Sequence, residues 1–430
     1  MSKEIQLTSG NKGHFLNTAQ VFSPDGHWLV YDTRNDDSKI GSTPSIEMVN
    51  VQTREIFELY RTKNQTDFGP GVGAVSFSPN AERVIFIHGI RNADKNRPYG
   101  FTRRTGVAID IKHPGVPIFM DARDITAPFK LGALRGGTHA HAWSGDGHWI
   151  SFTYNDYVIE QLAKTNPGVL DLRTVGVMFP GAVKVDPHPS LENNSGGMFS
   201  VIVTEVTENP QSGTDEIDKA FDEGWVGTNG YRRSDGSWQQ KAIAFQGNVR
   251  DENGNTKTEL FVVDLPGDLK QGKAGKALQG TASSRPAVPA GVKQRRITFL
   301  KHGVLGPRHW LRSTPDGELI TFLTKDDSGF VNVFGVSPNG GEARQLSFHR
   351  LDIQSGINIS HDGKKMAYVA ENAIYVTEID GGRSHKLTDT FTDSDKPASC
   401  VNWSPDDKTL AYNRYVNGFL QIFLLESNYK

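Results

Sequence analysis

One short pattern recurs along the chain: an alternating strand, a tight turn that often reads Ser-Pro-Asp-Gly, and a second β-rich strand. Clear copies begin at Val21, Ser76, Ala142, Arg312, Asn358 and Asn402. An Asp-Gly pair between alternating stretches is typical of a β-hairpin. A third and a fourth strand follow the hairpin, as in "NVFGVSPNGGEARQL". Four antiparallel strands per unit, repeated along the chain, predict an all-β fold of the β-propeller class.

The repeats predict seven blades, one of them atypical. Six units are clear, and the seventh covers about residues 187–300, where "ELFVVDLPGD" and "KQRRITFL" match third and fourth strands. The last unit ends at "LQIFLLESNYK" after three strands, and "EIQLTS" near the N-terminus matches the missing fourth strand. We therefore predict a single seven-bladed propeller domain over residues 1–430, closed by the N-terminal strand. A sandwich or two separate β domains is the alternative.

Inserts interrupt the repeat in the middle of the chain. Residues 212–225, "SGTDEIDKAFDEGW", predict a short helix, because Ser and Thr can cap it and acidic residues occupy its first turn. The stretch "NDYVIEQLAKTNPG" predicts a helix or a loop, and residues 265–291 have the composition of a loop. A weak fourth strand of the third unit is predicted near "AVKVDP", residues 182–187.

Composition and charge exclude several function classes. The formal net charge of -2 provides no field that would attract nucleic acid or an acidic membrane surface. The sequence has one cysteine, Cys400, so no internal disulfide can form. It has no apolar run that could span a bilayer, and no nucleophile elbow, phosphate loop or dinucleotide fingerprint. We expect a cytoplasmic monomer whose partner is a small anionic or sugar ligand, without nucleic-acid or membrane partners.

Several histidines stand at similar offsets before the hairpin turns. In a propeller the residues before each turn lie beside the central channel and converge on one mouth. His139 and His309 each precede a turn aspartate by seven residues, and His141, Gln354 and His14 stand at neighbouring offsets. Neutral imidazoles and an amide oxygen suit a divalent Mn, Zn, Fe or Ni ion. His139, His141, His309 and Gln354 are the predicted metal ligands, provided that the strand carrying the first two bulges. Alternatively, these side chains line a wet channel and hydrogen-bond to neighbouring blades.

Two arginines accompany the histidines. Arg135 lies near His139, and Arg308 immediately precedes His309. A guanidinium forms a bidentate pair with a carboxylate, so these residues are predicted to position an acidic small molecule such as a uronic-acid sugar. The alternative is that they form salt bridges between blades, with Asp124, Asp352 or similar residues.

The blades resemble those of TolB-type propellers. More specific segments, spread over nearly the whole chain, are similar to an uncharacterised bacterial YidR-like family. They are "LRGGTHAH", "SFTYNDY", "GTDEIDKAFDEGWVG", "ELFVVDLP", "QRRITF", "GPRHW" and "DIQS". This resemblance implies the propeller fold and brings no activity with it.

A more distant resemblance is to oligogalacturonate lyase, through "KGHFLNTAQVFSPDG" and "THAHAW". It implies a seven-bladed propeller with a metal ion at the channel mouth, held by His and Gln, and a β-elimination that splits pectin fragments. In the last blade, however, Asp395, Ala398 and Cys400 stand where the lyase has a Gln and a His-x-His pair. The metal site of the lyase is therefore not carried over to this chain.

Two functional hypotheses result. In the first, the chain is a metal-dependent lyase or hydrolase acting on an acidic oligosaccharide or similar small anion at the channel mouth. The four ligands would hold the ion, His14 would be the base, and Arg135 and Arg308 would position the anion. In the second, it is a non-catalytic TolB-like propeller that binds a protein, peptide or sugar and leaves it unchanged.

Overall fold

The computed structural model describes residues 3–187 and 190–427. Within these residues the main strands form seven antiparallel sheets that are arranged as the blades of a β-propeller. From the innermost strand outwards, the strands are Trp28–Asp32, Ser45–Asn50 and Ile56–Arg61 in blade 1; Val72–Phe77, Arg83–Gly89, Arg104–Asp110 and Ile118–Phe119 in blade 2; Gly136–Trp143, Ile150–Asp156, Thr174–Val183 and Gly196–Ile202 in blade 3; Ala220–Trp225, Ala242–Arg250, Thr256–Asp264 and Lys293–Arg296 in blade 4; Arg312–Ser313, Ile320–Lys325, Val331–Val336 and Arg344–Gln345 in blade 5; Asn358–Ile359, Lys365–Ala370, Ala373–Glu378 and Ser384–Lys386 in blade 6; and Ala398–Trp403, Thr409–Val416, Phe419–Glu426 and Glu4–Gln6 in blade 7.

Blade 1 completes its inner edge with single bridges from Phe15 and Phe22 to its first strand. A short hairpin, Tyr231–Arg232 with Trp238–Gln239, follows the inner strand of blade 4. The prediction of an all-β, seven-bladed propeller is confirmed. In the described part of the chain, no helix is long and apolar enough to cross a membrane.

The hydrophobic core lies between neighbouring blades. Val30 and Ile46 of blade 1, for example, pack with Phe77 and Phe86 of blade 2 in one buried cluster. Each blade thus buries both of its faces, which accounts for the nearly continuous apolar runs of the middle strands. The centre of the ring is left for polar side chains, so a site can form there without any loss of core.

The N-terminal strand closes the ring, as predicted. Glu4–Gln6 pairs antiparallel with the outer strand of blade 7, with Ile5 opposite Leu424. Beyond this strand, the Thr8 hydroxyl donates to Gln421 Oε1 at 3.0 Å and accepts from the Ile422 N–H at 2.9 Å. The closure removes an open sheet edge.

Two of the predicted local structures are wrong. Residues 212–225 do not form a helix: Ala220–Trp225 is the inner strand of blade 4 and pairs with Ala242–Arg250. The tertiary pairing overrides the helix-like local composition there. The fourth strand of blade 3 is Gly196–Ile202, because residues 182–183 continue the third strand. By contrast, a helix does form within "NDYVIEQLAKTNPG", at Tyr157–Ala163.

The connections between second and third strands differ greatly between the two halves of the ring. They are long in blades 1–3, where they cover residues 33–44, 90–103 and 157–173. In blades 4–7 they shrink to 251–255, 326–330, 371–372 and 417–418. Since the second strand runs antiparallel to the inner strand, these connections lie at the end where each inner strand begins. Blades 1–3 therefore build a raised wall around that mouth of the channel.

Candidate active site

A cavity of about 1070 Å³ occupies the centre of the ring. Its lining comes from the inner strands and from the long connections of blades 1–3. The charged lining side chains are mostly guanidiniums, and the aromatic ones include Phe101 and Trp310. Such a combination of cations and aromatic faces suits an anionic ligand with a partly apolar skeleton, such as an acidic sugar.

β-Bulges in three inner strands aim side chains at this cavity. Ala140 in blade 3 has φ 56°, and Asp222 in blade 4 has φ 50°, both uncommon for residues with a side chain. At each place two residues oppose one phenylalanine of the second strand: Ala140 and His141 in blade 3, Asp222 and Glu223 in blade 4. Blade 2 has the same irregularity at residues 74–75. Bulges re-aim side chains and are enriched at functional sites, and here they place His141 and Glu223 at equivalent positions.

A segment of blade 1 that is outside its strands crosses the channel. The Thr18 carbonyl accepts from Arg312 Nη2 of blade 5 at 3.1 Å and from Asn358 Nδ2 of blade 6 at 2.8 Å. The Gln20 amide donates to the Trp143 carbonyl of blade 3 at 3.0 Å and accepts from its N–H at 3.1 Å. The segment is thereby held by distant blades. The Arg312 guanidinium is committed to the backbone of this crossing, although it lies at the cavity.

His309 is not placed to bind a metal ion. Its Nδ1 lies 2.9 Å from the Pro307 carbonyl, and its Nε2 accepts from the Leu323 N–H at 3.2 Å. Both ring nitrogens are therefore engaged, and the buried ring is outside the cavity lining. This corrects the role predicted for His309, because the imidazole fixes the segment that leads into blade 5.

The predicted base and the predicted amide ligand are also apart from the other histidines. His14 is fully buried between blades 1 and 7, with its Nδ1 3.4 Å from the Leu420 carbonyl and its ring 5.0 Å from that of Tyr31. It does not line the cavity. Gln354 does reach the rim, but its amide pairs with Asn372 in both directions. Neither side chain meets His139.

Arg135 has a structural role. The side chain is fully buried, and its Nε donates to Asp156 Oδ2 at 3.0 Å. Its Nη atoms donate to the carbonyls of Thr281 and Ser284. Arg135 therefore joins blade 3 to the insert at 265–291. The salt-bridge alternative describes it correctly, with Asp156 as the partner.

His139 and His141 both line the cavity. His139 is buried, and within the described residues neither of its ring nitrogens has a hydrogen-bond partner. Burial and the charges of Arg104, Arg173 and Arg308 hold the pKa of His139 well below its usual value. The Nε2 of His141 lies 3.0 Å from the Thr138 hydroxyl, and burial lowers its pKa to about 3. Both imidazoles are thus neutral near pH 7.

The structure does not assemble the predicted metal ligands. Among residues 3–187 and 190–427, no group of three or more His, Cys, Asp or Glu side chains is arranged to hold a metal ion. Of the four predicted ligands, His139 and His141 turn a ring toward the cavity, whereas His309 is engaged elsewhere. Metal binding by the chain stays a prediction.

Arg308 lies where the sequence predicted, at the cavity. Its Nε and Nη2 grip the carboxylate of Asp222, with Nη2 2.7 Å from Oδ1. The Arg308 guanidinium is half-exposed, while Asp222 is buried. It also lies 4.4 Å from the centre of the Trp310 ring. The Asp222 carboxylate compensates one of the positive charges at this mouth.

Glu223 is the most important residue that the sequence analysis missed. It is buried beside the cavity, and its Oε2 accepts from the Thr153 hydroxyl at 2.8 Å. Thr153 is the strand partner of His139, so the carboxyl is anchored one strand away from that imidazole. Glu223 Oε1 has no hydrogen-bond partner among the described residues. Burial raises the pKa of Glu223 to about 7.

Arg104 and Arg173 were missed as well. Both line the cavity, and neither forms an ion pair within the part of the chain that the structure describes. They stand at the ends of the long connections 90–103 and 157–173. The signal that could have found them is the length of these connections, since only blades 1–3 depart from tight turns. For Glu223 the signal is the acidic pair Asp222–Glu223 within an apolar stretch, which was interpreted as a helix.

The chain has recognisable relatives. Residues 71–191 match the family described as a protein of unknown function, DUF3748. Over 416 residues the chain is 40% identical to the uncharacterized protein YidR of Escherichia coli strain K12, covering 95% of this chain and 94% of that protein. The resemblance to YidR noted in the sequence is thus confirmed.

Two solved structures share the fold. One is an oligogalacturonate lyase in complex with manganese, with a TM-score of 0.53 and 13% identity over 99% of this chain and 93% of that chain. The other is an oligogalacturonate lyase from Vibrio parahaemolyticus, with a TM-score of 0.54 and 12% identity over 99% and 94%. At such identities the likeness shows the fold alone.

Proposed function

This chain belongs to the family of YidR, and we propose that it is an enzyme that cleaves an acidic saccharide by general acid–base chemistry in its central cavity. One observation carries the proposal: a buried carboxyl with a raised pKa and a neutral imidazole line the same cavity. Glu223 has a pKa of about 7, and His139 is kept neutral by burial and by three guanidiniums. Two groups whose environments push their pKa values to opposite sides of the ordinary order are the usual mark of an acid and a base.

Each group has a defined task. The protonated Glu223 carboxyl donates its proton to the leaving oxygen of the saccharide. The neutral His139 imidazole accepts a proton, from water in a hydrolysis or from the carbon beside the acidic group in an elimination. The same pair serves a lyase or a hydrolase, and the products identify which reaction occurs.

The guanidiniums couple binding to base strength. Arg104, Arg173 and Arg308 act on His139 through their positive charge, which opposes protonation of the ring. A bound anion offsets that charge, so the pKa of His139 rises toward neutrality when substrate is present. The base is thus weak in the free protein and stronger in the complex.

The lyase relatives support an elimination, and one of them was solved with manganese. The residues of this chain do not fit a dication. His139 faces three guanidiniums, which would repel a second cation, and His309 has no free nitrogen. We therefore assign no step to a metal ion.

The test is turnover of a panel of acidic saccharides that includes oligogalacturonates, glucuronides and sugar phosphates. We expect product from at least one, and at least about a hundredfold lower turnover in H139Q. The matched control is H148Q, because His148 is exposed just past a hairpin turn. Equal turnover in H139Q would remove the base, and tight binding without any product would favour the non-catalytic alternative.

A further inference from the structure

Three nitrogen-bearing side chains gather around one exposed phenylalanine at the cavity mouth. The guanidinium carbon of Arg104 lies 4.9 Å from the centre of the Phe101 ring, and that of Arg173 lies 5.2 Å from it. The His139 ring centre is 6.4 Å away. We call Phe101, Arg104, Arg173 and His139 the Phe101 clamp. The aromatic face attracts both cations and so holds two like charges close together.

Arg104 presents an unused pair of donors in the clamp. The residue is only 3% exposed, and its Nη1 donates to the Tyr99 hydroxyl at 2.9 Å. Its Nε and Nη2 are buried and have no acceptor among the described residues. Buried donors without a partner are costly and rare in folded proteins. This edge of a guanidinium is the one that binds two oxygens of a single oxyanion side by side.

Arg173 adds a second uncompensated charge. Its Nε donates to Asn155 Oδ1 at 3.2 Å, and its Nη atoms have no acceptor in residues 3–187 and 190–427. Unlike Arg308, which is paired with Asp222, neither arginine of the clamp has a carboxylate partner there. Burial and the neighbouring Arg173 lower the pKa of Lys219, which indicates that a further cation lies close by.

We propose that the Phe101 clamp binds the doubly charged phosphate monoester group of a phosphorylated saccharide. This inference rests on the proposed function and names the acidic group of its substrate. A phosphate monoester carries about -1.5 to -2 charges near neutral pH and three strong acceptor oxygens. It matches the two unpaired guanidiniums in charge and their free nitrogens in number. A uronate carboxylate has one charge and two oxygens, so it would leave one guanidinium uncompensated.

The experiment compares two ligands that share one sugar skeleton. Glucose 6-phosphate and glucuronate are titrated into the whole protein by calorimetry, at about pH 7.5, where the phosphate is a dianion. We expect glucose 6-phosphate to bind at least about tenfold more tightly. In R104Q and R173Q that preference is lost, with at least about a tenfold loss of affinity for the phosphate. The matched control is R83Q, since Arg83 pairs with Asp110 away from the cavity.

The outcomes separate this inference from the proposed function. If glucuronate binds as tightly as glucose 6-phosphate, or more tightly, the phosphate assignment is overturned while the acidic-saccharide enzyme stands. If neither ligand nor any other acidic saccharide binds, both are overturned. If R104Q does not fold, as judged by its melting curve, the less buried R173Q decides, and unchanged phosphate affinity in R173Q overturns the clamp.

Discussion

Replacing Glu223 with glutamine is expected to stop turnover and, at about pH 8, to make the protein more stable. Glutamine keeps the shape of the side chain and an oxygen for the Thr153 hydroxyl. It cannot donate a proton as an acid to the leaving oxygen, so turnover should fall by at least about a hundredfold. It also carries no charge, which removes the penalty of an ionised carboxyl in a buried place.

The sign of the stability effect follows from the pKa of Glu223, which burial raises from 4.5 to about 7. Below about pH 4.5 the carboxyl is protonated in both the folded and the unfolded chain, so glutamine changes little. As the pH rises toward 7, the unfolded chain ionises first and the folded state loses stability. Above about pH 7 the penalty is complete and amounts to roughly 3 kcal/mol. The gain in E223Q should therefore appear between these pH values and persist above them.

Calorimetric melting curves at several pH values measure this gain, and E259Q is the matched control. Glu259 is also fully buried, but its carboxylate pairs with Arg296 at 3.0 Å and with Lys257 at 3.1 Å. Removing that charge leaves buried cations without a partner, so E259Q should be less stable than the natural chain near neutral pH. An E223Q protein that melts below the natural chain at about pH 8 would show that Glu223 is ionised and stabilising.

Deleting residues 1–9 is expected to cause the largest loss of stability. The deletion removes the strand Glu4–Gln6 and its pairing with blade 7. It also removes the buried Leu7 and the Thr8 hydroxyl that binds Gln421. The lost burial and hydrogen bonds amount to on the order of 5 kcal/mol. The opened edge of blade 7 should make the shortened protein aggregate.

A synthetic peptide of residues 1–12 provides the control for this deletion. If the loss comes from the missing strand, the peptide should pair with blade 7 and restore the melting temperature and solubility. A scrambled peptide of the same composition should not. A shortened protein that melts like the full chain, without any peptide, would contradict closure of the ring by this strand.

The fold was largely predictable because its signals are local and repeated. Each hairpin turn marks a blade, and the unpaired last strand points to the N-terminal strand that completes it. The helix predicted at 212–225 was wrong because capping residues and acids describe a helix only when no sheet competes for the segment. There, Ala220–Trp225 is paired in blade 4.

The site was predictable in place but not in composition. Offsets from the turns brought His139 and His141 correctly to the cavity. They failed for His309, because the segment before blade 5 turns the ring toward Leu323. They also ignored the long connections of blades 1–3, from which Arg104 and Arg173 reach the same mouth. Side chains that meet through a bulge and a distant loop share no fixed spacing in sequence.

The account depends most directly on the protonation state of Glu223. Carbon-13 NMR of protein labelled at the glutamate carboxyls, with E223Q used to assign the signal, follows this group as the pH changes. The account predicts a midpoint of about 7 for Glu223. A midpoint near 4.5, the ordinary value for a glutamate, would mean that the carboxyl is ionised at neutral pH. The cavity would then lack its acid, and the proposed acid–base cleavage would be contradicted.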